Sequence, residues 1–164
     1  MKARRPAPWI AALAAILGAA PALAADWSRY NNARFSYGVD LPPGFPPVAE
    51  AENSDGGTSE LAARSAVFSA WGANLLDETF GADIRSRIAG DRQDGWAPGH
   101  QAVAGTWASW SGTRAGRIRY TRAILLCREQ QAFVSLEYDA AAKAAYDPIV
   151  TRVARSLKGR GRCR

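Results

Sequence analysis

The segment Arg117–Tyr138, RIRYTRAILLCREQQAFVSLEY, decides the fold, because apolar and polar residues alternate along it in two runs. Apolar residues at every second position predict β-strands that each bury one face. The two runs are separated by Glu129-Gln130-Gln131, and such a short link makes neighbouring strands antiparallel. The alternating apolar positions are Ile118, Tyr120, Ile124, Leu126, Val134, Leu136 and Tyr138.

Further strands are predicted on the N-terminal side of this pair. Val103–Ser111 has the composition of a strand, and Gly112–Gly116 is typical of a hairpin loop that joins it to Arg117. Phe35–Leu41 alternates in the same way, and Thr58–Ala63 and Ala66–Ala73 are two more strand-like runs.

Two helices complete the pattern. Phe80, Ile84 and Ile88 recur at four-residue spacing, with Asp77 as the expected N-cap and Gly90 at the expected C-terminal end. Asp147-Pro148 predicts the start of a second helix, because proline suits the first helical position. We therefore expect an α+β fold, with an antiparallel sheet of about five or six strands and two main helices packed on it.

The N-terminus is typical of a secretory signal peptide. Basic residues precede a short apolar stretch, and Ala22-Leu23-Ala24 supplies the small residues of a cleavage site. The apolar stretch is shorter than the roughly 20 residues that a bilayer requires, so no transmembrane segment is expected. The predicted organisation is a signal peptide over residues 1–24, one α+β domain over 25–158 and a basic tail over 159–164. Arginine outnumbers lysine 18 to 3, as in GC-rich bacterial genomes, so the expected location is the periplasm.

The basic charge of the chain belongs mainly to its two ends. The full sequence has a formal net charge of +6, but residues 25–151 hold 12 basic and 15 acidic residues. A mildly acidic body argues against nucleic-acid binding. The basic tail is expected to be able to touch anionic surfaces of the cell envelope.

Several phrases resemble a known family. They match, in order along the chain, a family of small secreted proteobacterial proteins of unknown function: Tyr30–Phe35, Val39–Pro42, Asp55–Gly56, Trp71–Asn74, Ser111–Thr113 and Ala144–Val150. Asp40–Phe45 also resembles the start of the fold shared by the extrinsic photosystem subunit P and its bacterial relatives. That resemblance implies an α/β/α sandwich around an antiparallel sheet, in proteins that mostly act as binding or assembly factors. Neither resemblance supplies catalytic residues.

Few residues can support catalysis or metal binding. His100 is the single histidine, and no Gly-x-Ser-x-Gly nucleophile elbow is present. One histidine and two distant cysteines cannot form a tetrahedral zinc site, and no glycine-rich phosphate loop occurs, so no metal or cofactor is predicted. The alternative to a non-catalytic protein is a small periplasmic hydrolase that uses His100 with a nearby carboxylate, or a carboxylate pair drawn from Asp91, Asp94, Glu137 and Asp139.

Tryptophan is abundant for so small a domain, and tryptophans either pack in the core or line a binding surface. Trp107 and Trp110 should lie on opposite faces of one strand, and Trp96, in a Gly/Pro-containing loop, is expected to be exposed. The predicted ligand or partner surface comprises Trp27, Tyr30, Trp96, His100, Arg117 and Arg119. We therefore expect a soluble periplasmic binding or accessory protein, acting on an unknown protein or small ligand of the envelope.

A disulfide between Cys127 and Cys163 is predicted, because an exported chain with two cysteines encounters an oxidising compartment. Two free thiols, or a thiolate pair of Cys127 with His100, are the alternatives. Alkylation of the unreduced mature protein, followed by intact mass measurement, should add no label to either cysteine. Labelling of both cysteines before reduction would refute the bridge.

Overall fold

The computed structural model describes residues 26–127 and 129–161. These residues form ten strands and two α-helices. In chain order they are β1 Ser28–Asn32, β2 Tyr37–Leu41, β3 Ala49–Glu50, β4 Gly56–Leu61, β5 Ala66–Asn74, α1 Phe80–Gln93, β6 Ala97–Val103, β7 Trp107–Arg114, β8 Arg117–Cys127, β9 Gln130–Asp139, α2 Lys143–Ser156 and β10 Lys158–Gly159.

The strands form two antiparallel sheets. The larger has seven strands in the order β3-β4-β5-β9-β8-β7-β6, and the smaller has the order β1-β2-β10. The expected α+β class with antiparallel strands and two helices is confirmed, but the expectation of one sheet of five or six strands is wrong. Four strands were not predicted. Strand β1 is mostly polar and exposed, β3 and β10 are only two residues long, and β6 is an exposed edge strand, so none of the four has an alternating apolar pattern.

The large sheet is covered on both faces. On one face, Val134 and Leu136 of β9 pack with β2 and α2 in a first core. On the other face, Phe133 packs with Ile84 of α1 and Trp110 of β7 in a second core. Successive residues of β9 thus face different helices, and the molecule is a three-layer sandwich.

Both helices begin at residues other than those predicted. The N-cap of α1 is Thr79, whose hydroxyl accepts a hydrogen bond from the Ala82 N–H, whereas Asp77 accepts one from Ser86. Helix α2 begins at Lys143, so Pro148 lies inside the helix instead of at its first position. An ion pair of 2.8 Å between Lys143 and Asp147 spans the turn before this proline.

The chain ends of the described region are tied to the small sheet. Lys158 and Gly159 pair with β2, and the Arg160 N–H donates to the Ser36 carbonyl at 2.6 Å. The predicted signal peptide over residues 1–24, the last residues of the predicted tail and Cys163 lie outside the described residues. No helix among the described residues has the length and hydropathy needed to cross a membrane.

Gly72 of β5 is a site where close packing between the two sheets can be tested. A Cβ atom at this position would lie 2.2 Å from Phe35 Cγ, whereas a Cβ atom at Gly90 of α1 would meet nothing within 4 Å. We expect Gly72→Ala to lower the free energy of unfolding by about 1–3 kcal/mol, since overpacking forces a rigid ring to move. The same change at Gly90 should raise it by about 0.5–1 kcal/mol, because alanine favours the helix. Urea unfolding of both variants measures the contrast, and equal effects would contradict it.

Candidate functional site

A groove of about 280 Å³ lies between the C-terminal half of α1 and the large sheet. We call it the α1 groove. Strands β8 and β9 supply hydroxyl groups, and β5 and β7 supply aromatic rings. The charged side chains come from α1, from its C-cap residue and from β8. Its lining residues are Trp71, Arg87, Gly90, Asp91, Asp94, Trp110, Arg119, Thr121 and Ser135.

The sheet register places these side chains on one face. Thr121 of β8 lies directly opposite Ser135 of β9 on one side and opposite Trp110 of β7 on the other. Directly paired residues in an antiparallel sheet point to the same face, so their side chains are neighbours. Trp71 stands beside them, stacked on Phe133 with ring centroids 5.0 Å apart.

Asp91 joins the C-terminal end of α1 to the sheet. Its Oδ2 accepts a hydrogen bond from Trp110 Nε1 at 2.7 Å, and its Oδ1 pairs with Arg119 Nη2 at 2.5 Å. Both carboxylate oxygens are therefore engaged, and the indole and the guanidinium are fixed at one wall of the groove. Such charge-assisted hydrogen bonds are short and directional, so they hold the wall in place before a ligand arrives.

Asp83 holds the other end of α1. This carboxylate is 1% exposed and accepts hydrogen bonds from Arg87 Nε at 2.6 Å, Gln131 Nε2 at 2.6 Å and the Leu76 N–H at 2.9 Å. Burial raises the pKa of Asp83, but the hydrogen bonds from Arg87, Leu76 and Gln131 outweigh it and leave the pKa below its usual value. The Arg87 guanidinium also lies over the Phe133 ring, which orients this wall of the groove.

Trp96 does not have the exposure expected of it. It is 3% exposed, and the guanidinium carbons of Arg114 and Arg119 lie 4.6 and 4.1 Å from its ring centroid. The prediction that Trp96 is exposed is therefore wrong, because the two arginines cover the ring through cation–π contacts. Trp96 packs against Arg119, which lines the α1 groove.

The six predicted surface residues are not brought together. Arg119 lines the α1 groove with Trp96 against it, while Arg117, two residues earlier at the start of β8, pairs with Glu137 and Asp139. Trp27 and Tyr30 lie on the opposite face of the large sheet, packed against the core that contains α2.

Tyr30 and Trp27 already have partners there. The Tyr30 hydroxyl donates to Glu50 at 2.9 Å and accepts from Asn32, and burial raises its pKa. The Arg152 guanidinium carbon lies 4.1 Å from the centre of the Trp27 ring. The polar groups of this region are therefore used within the protein.

His100 lies on β6, and its ring Nε2 is 3.2 Å from Ser109 Oγ. Its backbone N–H donates a hydrogen bond to Ser111 Oγ at 3.0 Å. These serines face the α2 side of the sheet, whereas Asp91 and Asp94 line the α1 groove. Among the described residues His100 has no ion pair with a carboxylate. The structure thus places His100 next to hydroxyl groups and away from the carboxylates considered for a hydrolase.

Of the residues that line the groove, the predicted surface contained only Arg119, and the hydrolase alternative named Asp91 and Asp94. Thr121 and Ser135 occupy the same alternation phase as Arg119, so the strand pattern could have placed them beside it. Trp71 carries no comparable signal, because its neighbourhood depends on how β5 pairs with β9. No cluster of three or more metal-ligating side chains occurs in residues 26–127 and 129–161.

The role of Asp83 in holding α1 can be tested with an uncharged isostere. Asp83→Asn should lower the free energy of unfolding at pH 7 by about 2 kcal/mol, because it weakens hydrogen bonds made to a charged group. The lowered folded-state pKa means that the carboxylate's contribution is complete above the unfolded pKa near 4 and is lost as pH falls through the folded value. Urea unfolding at pH 7 and pH 3 should therefore show a smaller difference at pH 3. Asp77→Asn, at an exposed carboxylate beside the same helix, is the control and should change little at either pH.

With this geometry in hand, the chain can be compared with known proteins. No protein-family model and no curated protein matches it. Among solved structures it is similar to the solution structure of cyanobacterial PsbP, CyanoP, from Synechocystis sp. PCC 6803, with a TM-score of 0.62 and 12% sequence identity over 87% of this chain and 98% of that chain. At this identity the likeness concerns the fold alone. The chain therefore has a PsbP-like fold.

Proposed function

We propose that the protein is a non-catalytic binding protein of the bacterial periplasm, and that the α1 groove holds a neutral, hydroxyl-rich ligand of the saccharide class. The main supporting observation is that several polar groups lining the groove have no hydrogen-bond partner among the described residues. The hydroxyls of Thr121 and Ser135 and the carboxylate of Asp94 line the groove, yet they make no hydrogen bond to any other described residue.

The paired arginines of the groove favour a neutral ligand over an anion, and the Asp94 carboxylate, which has no ion pair among the described residues, disfavours an anion further. Arg87 is paired with Asp83, and Arg119 is paired with Asp91. Each guanidinium therefore has its charge compensated while keeping further N–H donors, and each of these pairs leaves no net charge. A ligand rich in hydroxyl groups can both donate to carboxylate oxygens and accept from such N–H groups.

The aromatic residues add an apolar surface to these polar groups. Trp71 and Trp110 both line the groove. Binding sites for small molecules commonly combine such rings with a few oriented polar groups. The C–H face of a sugar ring packs on an indole while its hydroxyl groups reach the sides, so both features of the groove fit one ligand class.

A larger hollow elsewhere is a weaker candidate. It measures about 460 Å³ and is lined by β1 and by the segment around Phe45. Its charged and phenolic side chains are already paired, since Arg29 pairs with Asp40 and the Tyr30 hydroxyl donates to Glu50. A ligand there would have to break existing contacts, which the α1 groove does not require.

The predicted signal peptide over residues 1–24 supports the periplasmic location, where envelope saccharides are available. In this reading the basic tail over 159–164 would hold the protein near anionic envelope surfaces. Replacement of Arg160, Arg162 and Arg164 by glutamine, which keeps Cys163, should then reduce sedimentation of the purified mature protein with anionic phospholipid vesicles. Unchanged sedimentation would remove the tail from this role and leave the groove proposal intact.

The groove proposal is tested by nuclear magnetic resonance titration with N-acetylglucosamine and its short oligomers. The indole N–H signals of Trp71 and Trp110 should shift to saturation. Thr121→Val keeps the shape of the side chain but removes the hydroxyl, and we expect it to weaken binding about 5- to 10-fold, the value of one hydrogen bond.

Thr113→Val is the matched control, since Thr113 is exposed on the opposite face of the same sheet. It should leave the dissociation constant unchanged. Absence of saturable shifts with all these saccharides, or equal effects of the two variants, would show that the groove does not bind this class.

A further inference from the structure

Arg122 of β8 is a partly buried cation that has no carboxylate partner among the described residues. Its side chain points to the α2 side of the large sheet, with Ser109 and Val134 as its direct cross-strand neighbours. Its Nε atom is buried and has no hydrogen-bond partner, and no ion pair to Arg122 exists among the described residues. Burial lowers its pKa, although a guanidinium stays charged at neutral pH.

The other part-buried arginines of the large sheet and α1 are arranged differently. Arg87, Arg117 and Arg119 each contact a carboxylate, at 2.6, 2.9 and 2.5 Å respectively. Removing a charge from water is costly unless a partner compensates it, so buried charges in proteins are normally paired. Arg122 lacks the partner that this protein supplies to the arginines on the other face.

The side chains around Arg122 form a surface suited to an anion. The α2-side positions of β7 and β8 carry no acidic residue: Trp107, Ser109, Ser111, Thr113, Ile118, Tyr120, Arg122, Ile124 and Leu126. The ring of His100 contacts Ser109 at 3.2 Å, next to Arg122 across the strand pair. Hydroxyl groups, an imidazole and a guanidinium therefore converge where no carboxylate competes.

Trp107 supplies an apolar platform at the same place. The Arg122 guanidinium carbon lies 4.2 Å from the centre of its ring, and the residue is 37% exposed. A guanidinium held on an indole face keeps its position without an ion-pair partner. The cation is thus oriented in advance, next to an apolar ring that a ligand can reach.

We propose that Arg122 is the centre of an oxyanion-binding site, in which the carboxylate or phosphate group of a small molecule pairs with the guanidinium and its organic part packs on Trp107. His100, Ser109 and Tyr120 form the polar border of this site. The site is separate from the α1 groove, because the large sheet lies between them. A planar carboxylate or a phosphate provides the bidentate acceptor that a guanidinium requires.

The test uses inorganic phosphate and benzoate as probes, titrated separately at constant ionic strength and followed by nuclear magnetic resonance. The Trp107 indole and Arg122 side-chain N–H signals should shift to saturation with at least one probe. Benzoate binding identifies a carboxylate site with an apolar platform, whereas binding of phosphate alone identifies a phosphate site. Failure of both probes to give saturable shifts overturns the proposal, and neither outcome bears on saccharide binding in the α1 groove.

Arg122→Met should weaken binding of the probe at least 10-fold, while Arg85→Met, at an exposed arginine of α1, should leave it unchanged. Without ligand, Arg122→Met should melt at the same temperature as the parent protein or higher, because it removes a charge that is partly buried and has no carboxylate partner among the described residues. A large fall in melting temperature would instead mean that Arg122 stabilises the fold. If Arg122→Met does not fold, Arg122→Lys retains the charge but not the planar fork, and it should still weaken binding severalfold; unchanged affinity would overturn the assignment.

Discussion

The burial of strand β9 on both faces is the constraint on which the rest of this structure depends. Every residue from Gln131 to Leu136 is buried, so successive side chains need apolar partners on opposite sides. Helix α2 and the small sheet supply one set of partners, and α1 supplies the other. A sheet with only one covered face would expose Phe133 and Trp71 to water. The three-layer arrangement, and with it the existence of a groove under α1, follows from this one strand.

Helix α1 has few apolar contacts of its own, so two carboxylates determine its position. Only Phe80, Ile84 and Ile88 are buried apolar residues of this helix, while Asp83 and Asp91 bind the sheet from its two ends. Hydrogen bonds to charged groups each contribute about 1.5–3 kcal/mol and impose direction, which apolar contacts do not. The α1 groove therefore has walls fixed by polar contacts and a floor fixed by strand register. Such preorganisation lowers the entropy lost when a ligand binds.

The parts of the fold that depend on local alternation could be predicted from sequence, and the parts that depend on distant partners could not. The pattern of β8 and β9 gives their strands and their buried faces, and it places Trp107 and Trp110 on opposite faces, as found. Trp96 lies buried because Arg119, from a distant strand, covers it, and no local pattern carries that information. Edge strand β6 needs no buried face and so has no alternation. The groove was predictable only in part. The strand pattern identified Arg119, but the position of Thr121 in the groove depends on its cross-strand neighbours Trp110 and Ser135.

The arginines of β8 are paired differently on the two faces of the sheet. Arg117 and Arg119 point to the α1 side and have carboxylate partners, whereas Arg122 points to the α2 side and has none among the described residues. Arginines of one strand thus differ in pairing according to the face they are on. A general preference for arginine in this chain does not explain that difference. A partly buried charge without a counter-charge pays a desolvation cost that no ion pair among the described residues offsets. At the proposed site, an anion that pairs with Arg122 would supply the counter-charge, so part of that cost would be recovered as binding free energy.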